Sequence, residues 1–491
     1  MPKRHNLLFI ISDEHNPKVM GCSGDPLVLT PHLDRIASQG VRFSSAYCNS
    51  PACVPARAAL ATGRYVHDLE LWDNAHPYDG SVASWHRRLR DSGMRVASIG
   101  KLHFRSTEDD NGFGEEIVPM HVVDGVGDLG DLVRDKLPRR GGIAEMANAA
   151  GPGESSYTRY DRDIAARAQA WMAERAAEGE DGQPWALFVS LVAPHFPLTA
   201  PDEHYYRYFD SDRLPRPKLY GKEERPRHPY LLDYAGSLAY DDYFDSELKL
   251  RRALAGYYGL VSFLDELVGE LLRTLDAQGL GGSTRIVYTS DHGENLGARG
   301  LWGKTTMYEE SVGVPLLLAG PGVPQGLVCA TPVTHVDLFP TVLEATGTPA
   351  SPEDAGLPGR SLFPIIGGQE PGRSAFAEFH GMGSSTASYM VRDGRYKYVY
   401  YVGYPAQLFD LQVDPEELSD IAALPESMET VRRLHGLLCA TCDPEEVDAR
   451  AKRQQADMLA RSGGREAVLA KGDFSFSPAP GTEAVFETGD A

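Results

Sequence analysis

The sequence predicts an α/β fold, in which a large, mostly parallel sheet is sandwiched by helices and a smaller α+β domain follows at the C-terminus. Two observations predict it. In the first three quarters of the chain, short apolar runs bounded by turn signals alternate with helical patterns, which is typical of a parallel sheet. Later, the alternating stretch "SYMVRDGRYKYVYY" indicates antiparallel strands, and the helical "METVRRLHGLL" follows them.

The change of pattern divides the chain into three predicted regions. Residues 1–370 form the large α/β domain, residues 371–445 form the small domain with its antiparallel sheet, and residues 446–491 form a tail. The end of that tail, "KGDFSFSPAPGTEAVFETGD", has no core pattern. We therefore expect the tail to be an arm that binds another subunit of a homodimer or homotetramer.

The composition restricts the partners and the compartment. The chain has 491 residues, of which 42% are hydrophobic and 24% are charged, as in soluble globular proteins. Its net charge of -21 argues against nucleic acid or an acidic membrane as a partner, because either requires a broad basic face. The apolar run near the start, "NLLFIISDEH", is too short for a signal peptide, and no later run reaches membrane-spanning length. We expect a cytoplasmic protein without a membrane partner.

Ionisable residues follow four of the predicted strands. "LLFIIS" ends at Asp13, "VASIG" at Lys101 and His103, "WALFVSLVAPH" at His195, and "RIVYTSDHGE" at Asp291 and His292. Each of these residues alone is a common turn or cap residue. Because ligands of open α/β sheets bind beyond the carboxyl ends of the strands, the joint pattern predicts a site at one edge of the sheet. Two carboxylates and an imidazole suit calcium, magnesium or manganese, and the imidazole disfavours calcium alone.

The stretch "CNSPACVPARAALATG" places Cys53 at the amino end of a predicted helix. Pro55 suits the first turn of that helix, and Gly63 closes it. Because a helix N-terminus favours negative charge, the position could lower the pKa of a thiol or hold an anionic group. Arg57 follows one turn later, where its guanidinium could fork around a tetrahedral oxyanion.

These residues carry a resemblance to a known family. Residues 53–57, "CVPAR", resemble the C-x-P-x-R signature of the sulfatases, in which the cysteine is oxidised after translation to formylglycine. The stretches "ALATGRYVH", "APHFP", "SDHGENLG" and "HVDLFPT" are similar to sulfatase sequences in the same order. "GKLHF" and "AEFHG" resemble the choline-sulfatase branch, which neighbours the phosphonate monoester hydrolases.

The resemblance implies an alkaline-phosphatase-like fold and the hydrolysis of a small organic sulfate monoester to an alcohol and sulfate. The nucleophile would be the hydrated formylglycine at position 53, made by a formylglycine-generating enzyme during maturation. One divalent metal, Ca²⁺ or Mn²⁺, would bind to Asp13, modified Cys53, Asp291 and His292. The metal and the two carboxylates roughly cancel in charge, which leaves Arg57, Lys101 and Lys304 to stabilise a bound monoanion.

The resemblance also implies proton-transfer and substrate-binding residues. His195 is similar to the leaving-group histidine of the family, with Lys304 nearby, and His103 is similar to the base that releases sulfate. Asn74, in "LWDNAHPYDG", matches a family position that lines the site. For the organic group, aromatic faces and a carboxylate are the expected contacts. The expected substrate-binding residues are Asn74, Trp72, Trp302 and Glu378.

Two other functions stay open at this point. The same diol could hydrolyse a phosphonate monoester or a phosphodiester, since these substrates are also monoanions with tetrahedral centres. The chain could instead be a metal-binding, catalytically silent homologue with an unmodified Cys53, although the intact signature weighs against this. The organic group also stays open, because "EIVPMHVVDGVGDLGDLVRDK" has no aromatic residue where choline sulfatases present a tryptophan.

Overall fold

Eight strands form the main sheet of the protein. The computed structural model describes residues 4–179, 182–370, 372–474 and 476–487. The predicted domain boundary at residue 371 and the chain end, 488–491, lie outside the described residues. The strands of the main sheet are β1 (Asn6–Asp13), β2 (Gly40–Phe43), β3 (Arg95–Lys101), β4 (Glu115–Met120), β5 (Trp185–Pro194), β6 (Thr284–Ser290), β7 (Leu316–Ala319) and β8 (Leu327–Cys329).

The sheet is mostly parallel, as predicted. Its order is β8-β2-β7-β6-β1-β5-β3-β4, and β7 alone of these strands runs antiparallel to its neighbours. The central strands are apolar because both of their faces are covered: every residue of β5 is buried, and so are seven of the eight residues of β1.

Helices cover the sheet. α6 and α10 pack on each other and on β5, and α4 and α12 pack on each other and on β3 and β1, respectively. The helices are α1 (Pro31–Ser38), α2 (Cys53–Thr62), α3 (Val66–Leu69), α4 (Trp85–Asp91), α5 (Ile143–Asn148), α6 (Ser156–Ala177), α7 (Asp202–Phe209), α8 (Pro229–Leu238), α9 (Tyr240–Tyr243), α10 (Glu247–Ala277), α11 (Glu309–Val312), α12 (Leu338–Thr346), α13 (Leu362–Ile366), α14 (Met428–Thr441), α15 (Pro444–Arg461) and α16 (Gly464–Lys471).

A second, antiparallel sheet follows in the C-terminal part of the chain. Its strands pair in chain order: β9 (Ser374–Phe379), β10 (Ser388–Asp393), β11 (Tyr396–Tyr401) and β12 (Gln407–Asp410). The helix α14 packs on β10 and β11 over a separate hydrophobic core. The predicted boundary between residues 445 and 446 falls inside α15 (Pro444–Arg461). Val447 and Ala451 of that helix belong to the same hydrophobic core as the antiparallel sheet.

Part of the predicted tail packs on its own chain, and its contact with another subunit stays a prediction. Two short strands, Asp473–Phe474 and Phe486–Glu487, pair antiparallel, and Ser477 and Ala479 between them are buried within this chain. The tail folds back because the Phe476 ring packs on Tyr157. The homodimer or homotetramer stays a prediction.

Two further short strand pairs lie outside the sheets: Ala46–Tyr47 with Val333–Thr334, and Gly151–Pro152 with Thr199–Ala200. Among the described residues, no helix combines the length and the hydropathy that a bilayer crossing requires. The cytoplasmic location stays a prediction.

Candidate active site

The carboxyl ends of four adjacent strands meet at one edge of the main sheet. Asp13 ends β1, Lys101 ends β3, His195 follows β5 and Asp291 follows β6. The parallel register aligns these ends, since Ser12 of β1 is opposite Ser290 of β6 and Asp13 is opposite Pro194 of β5. The ionisable residues that the sequence places beyond the strands therefore meet at one edge of the sheet, as predicted, and ligand binding at this edge stays a prediction.

Helix α2 brings the cysteine to this edge. Cys53 is the first residue of the helix, and Gly63 ends it in the left-handed conformation, with φ of 68°. Both ends agree with the sequence prediction. Every residue of α2 is buried, so the helix fixes Cys53 against the strand ends instead of presenting it to solvent.

Four buried side chains form a candidate metal site. The ligand atoms of Asp13, Cys53, Asp291 and His292 all lie within 4.8 Å of one another. The Cys53 Sγ is 3.2 Å from His292 Nε2 and 3.7 Å from Asp13 Oδ1. His292 Nδ1 is 3.0 Å from the Gly293 carbonyl oxygen, to which it donates, so the lone pair of Nε2 faces the other ligands. Two carboxylates and an oriented imidazole fit a divalent cation.

Arg57 holds this donor set together. Its Nε donates to Asp291 Oδ2 (2.8 Å) and its Nη2 to Asp13 Oδ2 (3.1 Å). Its Nη1 donates to the Lys101 carbonyl oxygen (2.8 Å) and to Ser190 Oγ (3.0 Å). The buried guanidinium directs these donors to protein groups and is absent from the described cavity lining, so the structure gives no support to the predicted fork around an oxyanion.

Two lysines supply positive charge at the surface of the cavity. Lys101 Nζ is 2.6 Å from Asp13 Oδ2, and Lys304 Nζ is 3.1 Å from Cys53 Sγ. Burial alone raises the pKa of Asp13, but the charges of Lys101 and Arg57 outweigh it and hold the pKa well below its usual value. Asp13 is therefore ionised and available to a metal.

His195 accepts a hydrogen bond in this site. Its Nδ1 donates to the Phe196 carbonyl oxygen (2.6 Å), which leaves Nε2 to accept from Lys304 Nζ (2.8 Å). Burial, followed by the charge of Lys304, lowers the pKa of His195 well below its usual value. The neutral ring carries no proton on the nitrogen that faces the cavity. Lys304 is thus better placed than His195 to give a proton to a leaving group.

His103, two residues after Lys101, also lines the cavity. Its Nε2 is 2.8 Å from the hydroxyl oxygen of Ser477, a residue of the tail. Burial, then the charges of Lys101 and Arg57, lower the pKa of His103 well below its usual value. A neutral imidazole at this position agrees with the predicted role of a base.

The Cys53 thiol is not activated. Burial and the Asp13 carboxylate raise its pKa to about 12, so the helix N-terminus does not produce a thiolate here. A cysteine nucleophile requires the opposite shift. Of the two possibilities that the helix N-terminus left open, the structure gives no support to a reactive thiolate.

The remaining predicted residues divide into two groups. Asn74 lines the cavity, and its Oδ1 accepts from the Val54 backbone N–H (3.2 Å). Trp72, Trp302 and Glu378 are fully buried and absent from the described cavity lining, so the structure gives no support to their predicted contact with the substrate. Their partners lie in the core: Trp72 donates to Gln454 (2.7 Å), Trp302 stacks on Phe244 (4.0 Å between ring centroids), and Glu378 binds His67 (2.8 Å) and His380 (2.9 Å).

Two kinds of residue at the site were missed or undervalued from the sequence. Glu14, directly after Asp13, is buried, and its Oε2 accepts from Lys304 Nζ (3.4 Å), so it helps to orient the ammonium group. The second carboxylate in the run "SDEH", directly after Asp13, is the sequence feature that could have indicated this position. The C-terminal residues Phe474, Phe476 and Ser477 also line the cavity, and nothing in their local sequence indicates it.

Two family models together match the chain over most of its length. The family model "Sulfatase" matches residues 5–348, and a second model, "N-sulphoglucosamine sulphohydrolase, C-terminal", matches residues 297–443. The chain therefore belongs to the sulfatase family and is a sulfuric ester hydrolase.

Individual relatives agree with this assignment. A choline-sulfatase of Rhizobium meliloti (strain 1021) is 31% identical over 92% of this chain and 89% of its own length. Arylsulfatase K of Bos taurus is 30% identical over 86% of this chain and 79% of its own length. The crystal structure of the phosphonate monoester hydrolase of Agrobacterium radiobacter has the same fold, with a TM-score of 0.72, 23% identity, and coverage of 89% of this chain and 95% of that one.

Proposed function

We propose that this sulfatase hydrolyses a small organic sulfate monoester, with formylglycine at position 53 as the nucleophile and one divalent metal bound to Asp13, residue 53, Asp291 and His292. The observation that carries the proposal is the convergence of a buried, unactivated cysteine with two carboxylates and an oriented imidazole. The organisation of that donor set by Arg57 supports metal binding in particular.

The cofactor and the modified residue supply what the unmodified side chains lack. When bound, Ca²⁺ or Mn²⁺ supplies Lewis acidity, and hydrated formylglycine supplies a hydroxyl nucleophile. Conversion of Cys53 requires a formylglycine-generating enzyme as a partner during maturation. A catalytically silent protein would not need the positive charges of the buried Lys101 and Lys304 at the cavity.

The residues of the cavity divide the remaining tasks. Lys101 and Lys304 bind the anionic sulfuryl oxygens and stabilise the charge that develops on them. Lys304 gives its proton to the leaving oxygen, and His195 orients its ammonium through the 2.8 Å hydrogen bond. Neutral His103 accepts the proton when sulfate is released.

Phosphonate monoesters and phosphodiesters remain a second candidate class, because their single negative charge suits the same two lysines. The shared fold of the Agrobacterium radiobacter phosphonate monoester hydrolase is consistent with side activity of this kind. We propose sulfate esters as the better substrates, since the family model matches most of the chain.

Initial rates on a panel of substrates test the proposal. Protein produced with a formylglycine-generating enzyme is assayed on aryl sulfates, alkyl sulfates, choline sulfate, a phosphonate monoester and a phosphodiester. We expect kcat/KM to be highest for a sulfate ester and chelation to abolish it. A higher kcat/KM for the phosphodiester or the phosphonate would replace the proposal with the second candidate.

A further inference from the structure

The last described part of the chain closes one side of the catalytic cavity. We call residues 474 and 476–479 the C-terminal segment. Phe474, Phe476 and Ser477 of this segment line the cavity together with Cys53 and Lys304. A segment that the sequence assigns to another subunit thus contacts the active site of its own chain.

Polar contacts fix the segment to the site. The Ser477 hydroxyl lies 2.8 Å from His103 Nε2, and the Tyr157 hydroxyl donates to the Ser477 carbonyl oxygen (2.5 Å). Ser477 and Ala479 are 7% and 4% exposed, so this part of the tail is as buried as a core element. Contacts of both main chain and side chain define its position.

Aromatic rings continue from the segment to the leaving-group residues. The Phe476 ring lies 5.0 Å from Tyr157 and 6.3 Å from Phe196, both edge-to-face. Phe196 stacks on His195 at 4.2 Å between ring centroids. Because Lys304 and His195 serve the leaving oxygen in the proposed function, this aromatic wall faces the place of the organic group.

The charges of the cavity favour an uncharged organic group over a cationic one, because Lys101 and Lys304 both line it. Among the described lining residues, Asp128 is the one carboxylate, and it is paired with Arg140. The other lining residues on that side, including Ile143, Met146 and Met382, are apolar. The rings of Phe474 and Phe476 could contact a cation as well as an aromatic group, but the two lysines oppose a cation and do not oppose an uncharged ring.

We propose that the C-terminal segment is the specificity-determining wall of the active site, and that Phe474 and Phe476 select sulfate esters of an uncharged aromatic group. The inference rests on the proposed function and adds the class of the organic group. It requires nothing from another subunit.

Substitution of the two phenylalanines tests this inference. Phe474→Ala, Phe476→Ala and Phe476→Leu are compared with the wild type in kcat/KM for phenyl sulfate and propyl sulfate. We expect the ratio of phenyl to propyl to fall about tenfold in the alanine variants and less in Phe476→Leu, because the ring contact is lost. Val485→Ala is the control: this side chain is 73% exposed on the same stretch, and the ratio should stay within about twofold.

A binding measurement keeps this test separate from the proposed function. In a Cys53→Ala background, which cannot turn over, calorimetry of phenyl sulfate should show a dissociation constant about tenfold higher with Phe476→Ala. If the ratio and the dissociation constant are unchanged in variants that keep the wild-type Tm, or if both substrates lose rate equally, the inference is wrong. If the wild type releases no sulfate from any ester while the binding difference persists, the proposed function is wrong, but Phe476 still determines the binding of the aromatic group.

Discussion

Arg57 shows how far the chemistry of the site depends on side chains that do not line the cavity. The sequence could predict that an arginine belongs to the motif, but it could not predict which way the guanidinium points. Its orientation is set by two carboxylates on different strands, Asp13 and Asp291, and such a long-range contact leaves no local pattern. Arg57 therefore fixes the two carboxylates of the proposed metal site.

Arg57→Lys should disturb the proposed metal site although it keeps the positive charge at position 57. A lysine keeps the charge but cannot make the four hydrogen bonds, and loss of a buried charged network of this kind costs about 2–4 kcal/mol. We expect metal content to fall well below one per chain in elemental analysis and kcat/KM to fall at least about 100-fold. Arg95→Lys, in a partly exposed pair with Glu178, is the matched control and should cost less than about 0.5 kcal/mol. Full metal occupancy in Arg57→Lys would contradict this role.

The proton donor is the second prediction at this scale. If Lys304 protonates the leaving oxygen, Lys304→Ala should reduce kcat/KM for alkyl sulfates far more than for nitrophenyl sulfate, which leaves without help. General acid assistance of this kind is typically worth about 10²–10⁴ in rate. His195→Ala should show the same trend more weakly, because it only removes the acceptor that orients Lys304.

A plot of log(kcat/KM) against the pKa of the leaving group separates the two residues. The slope should steepen most in Lys304→Ala. A steeper slope in His195→Ala alone would return the acid role to His195.

Among the elements, helix α2 could be predicted at both ends because its signals are local. Pro55, the alanine run and Gly63 act within the helix itself. The strand ends were equally predictable, since an apolar run stops where the ionisable residue begins. The C-terminal segment was not, because Phe476 and Ser477 are fixed by Tyr157 and His103, which are hundreds of residues away in the chain.

Gly63, which ends α2, should tolerate substitution poorly. Its φ of 68° disfavours a side chain, and an added Cβ would lie 2.7 Å from Phe339 Cβ. Gly63→Ala should lower the free energy of unfolding by about 2–4 kcal/mol in urea denaturation, from backbone strain and overpacking together. The control is Gly279→Ala, where φ is 69° but nothing lies within 4 Å, and about 1 kcal/mol is expected. Equal losses in both variants would show that the contact with Phe339 does not matter.

For the molecule as a whole, the fold class and the edge that carries the site followed from the alternation of apolar and helical patterns. The position of the large aromatic residues did not. Tryptophan is a residue type that often contacts ligands, but Trp72 and Trp302 fill the core. Filling a core and presenting an aromatic binding face require the same residue types. Periodicity cannot distinguish these two uses.

Acid should destabilise the molecule through buried histidines. His15 is fully buried between Tyr288 and the Val19 carbonyl oxygen, and burial lowers its pKa to about 4. Because the folded pKa lies below the unfolded value of about 6.5, the contribution is present above pH 6.5 and is lost as the pH falls toward 4.

This linkage amounts to about 2 kcal/mol between about pH 7.5 and about pH 5. Urea denaturation at the two pH values should therefore show a difference in stability that is smaller by that amount in His15→Asn than in the wild type. The same difference in both proteins would mean that His15 does not contribute to acid sensitivity.

The central claim is that sulfate ester hydrolysis depends on formylglycine at position 53. The most direct measurement sets the rate of sulfate release from an aryl sulfate against the fraction of residue 53 that peptide mass spectrometry identifies as formylglycine. Preparations with and without a formylglycine-generating enzyme supply the range. We predict a line through the origin, with no turnover by protein that keeps the cysteine. Full turnover by protein with an entirely unmodified Cys53 would contradict the account.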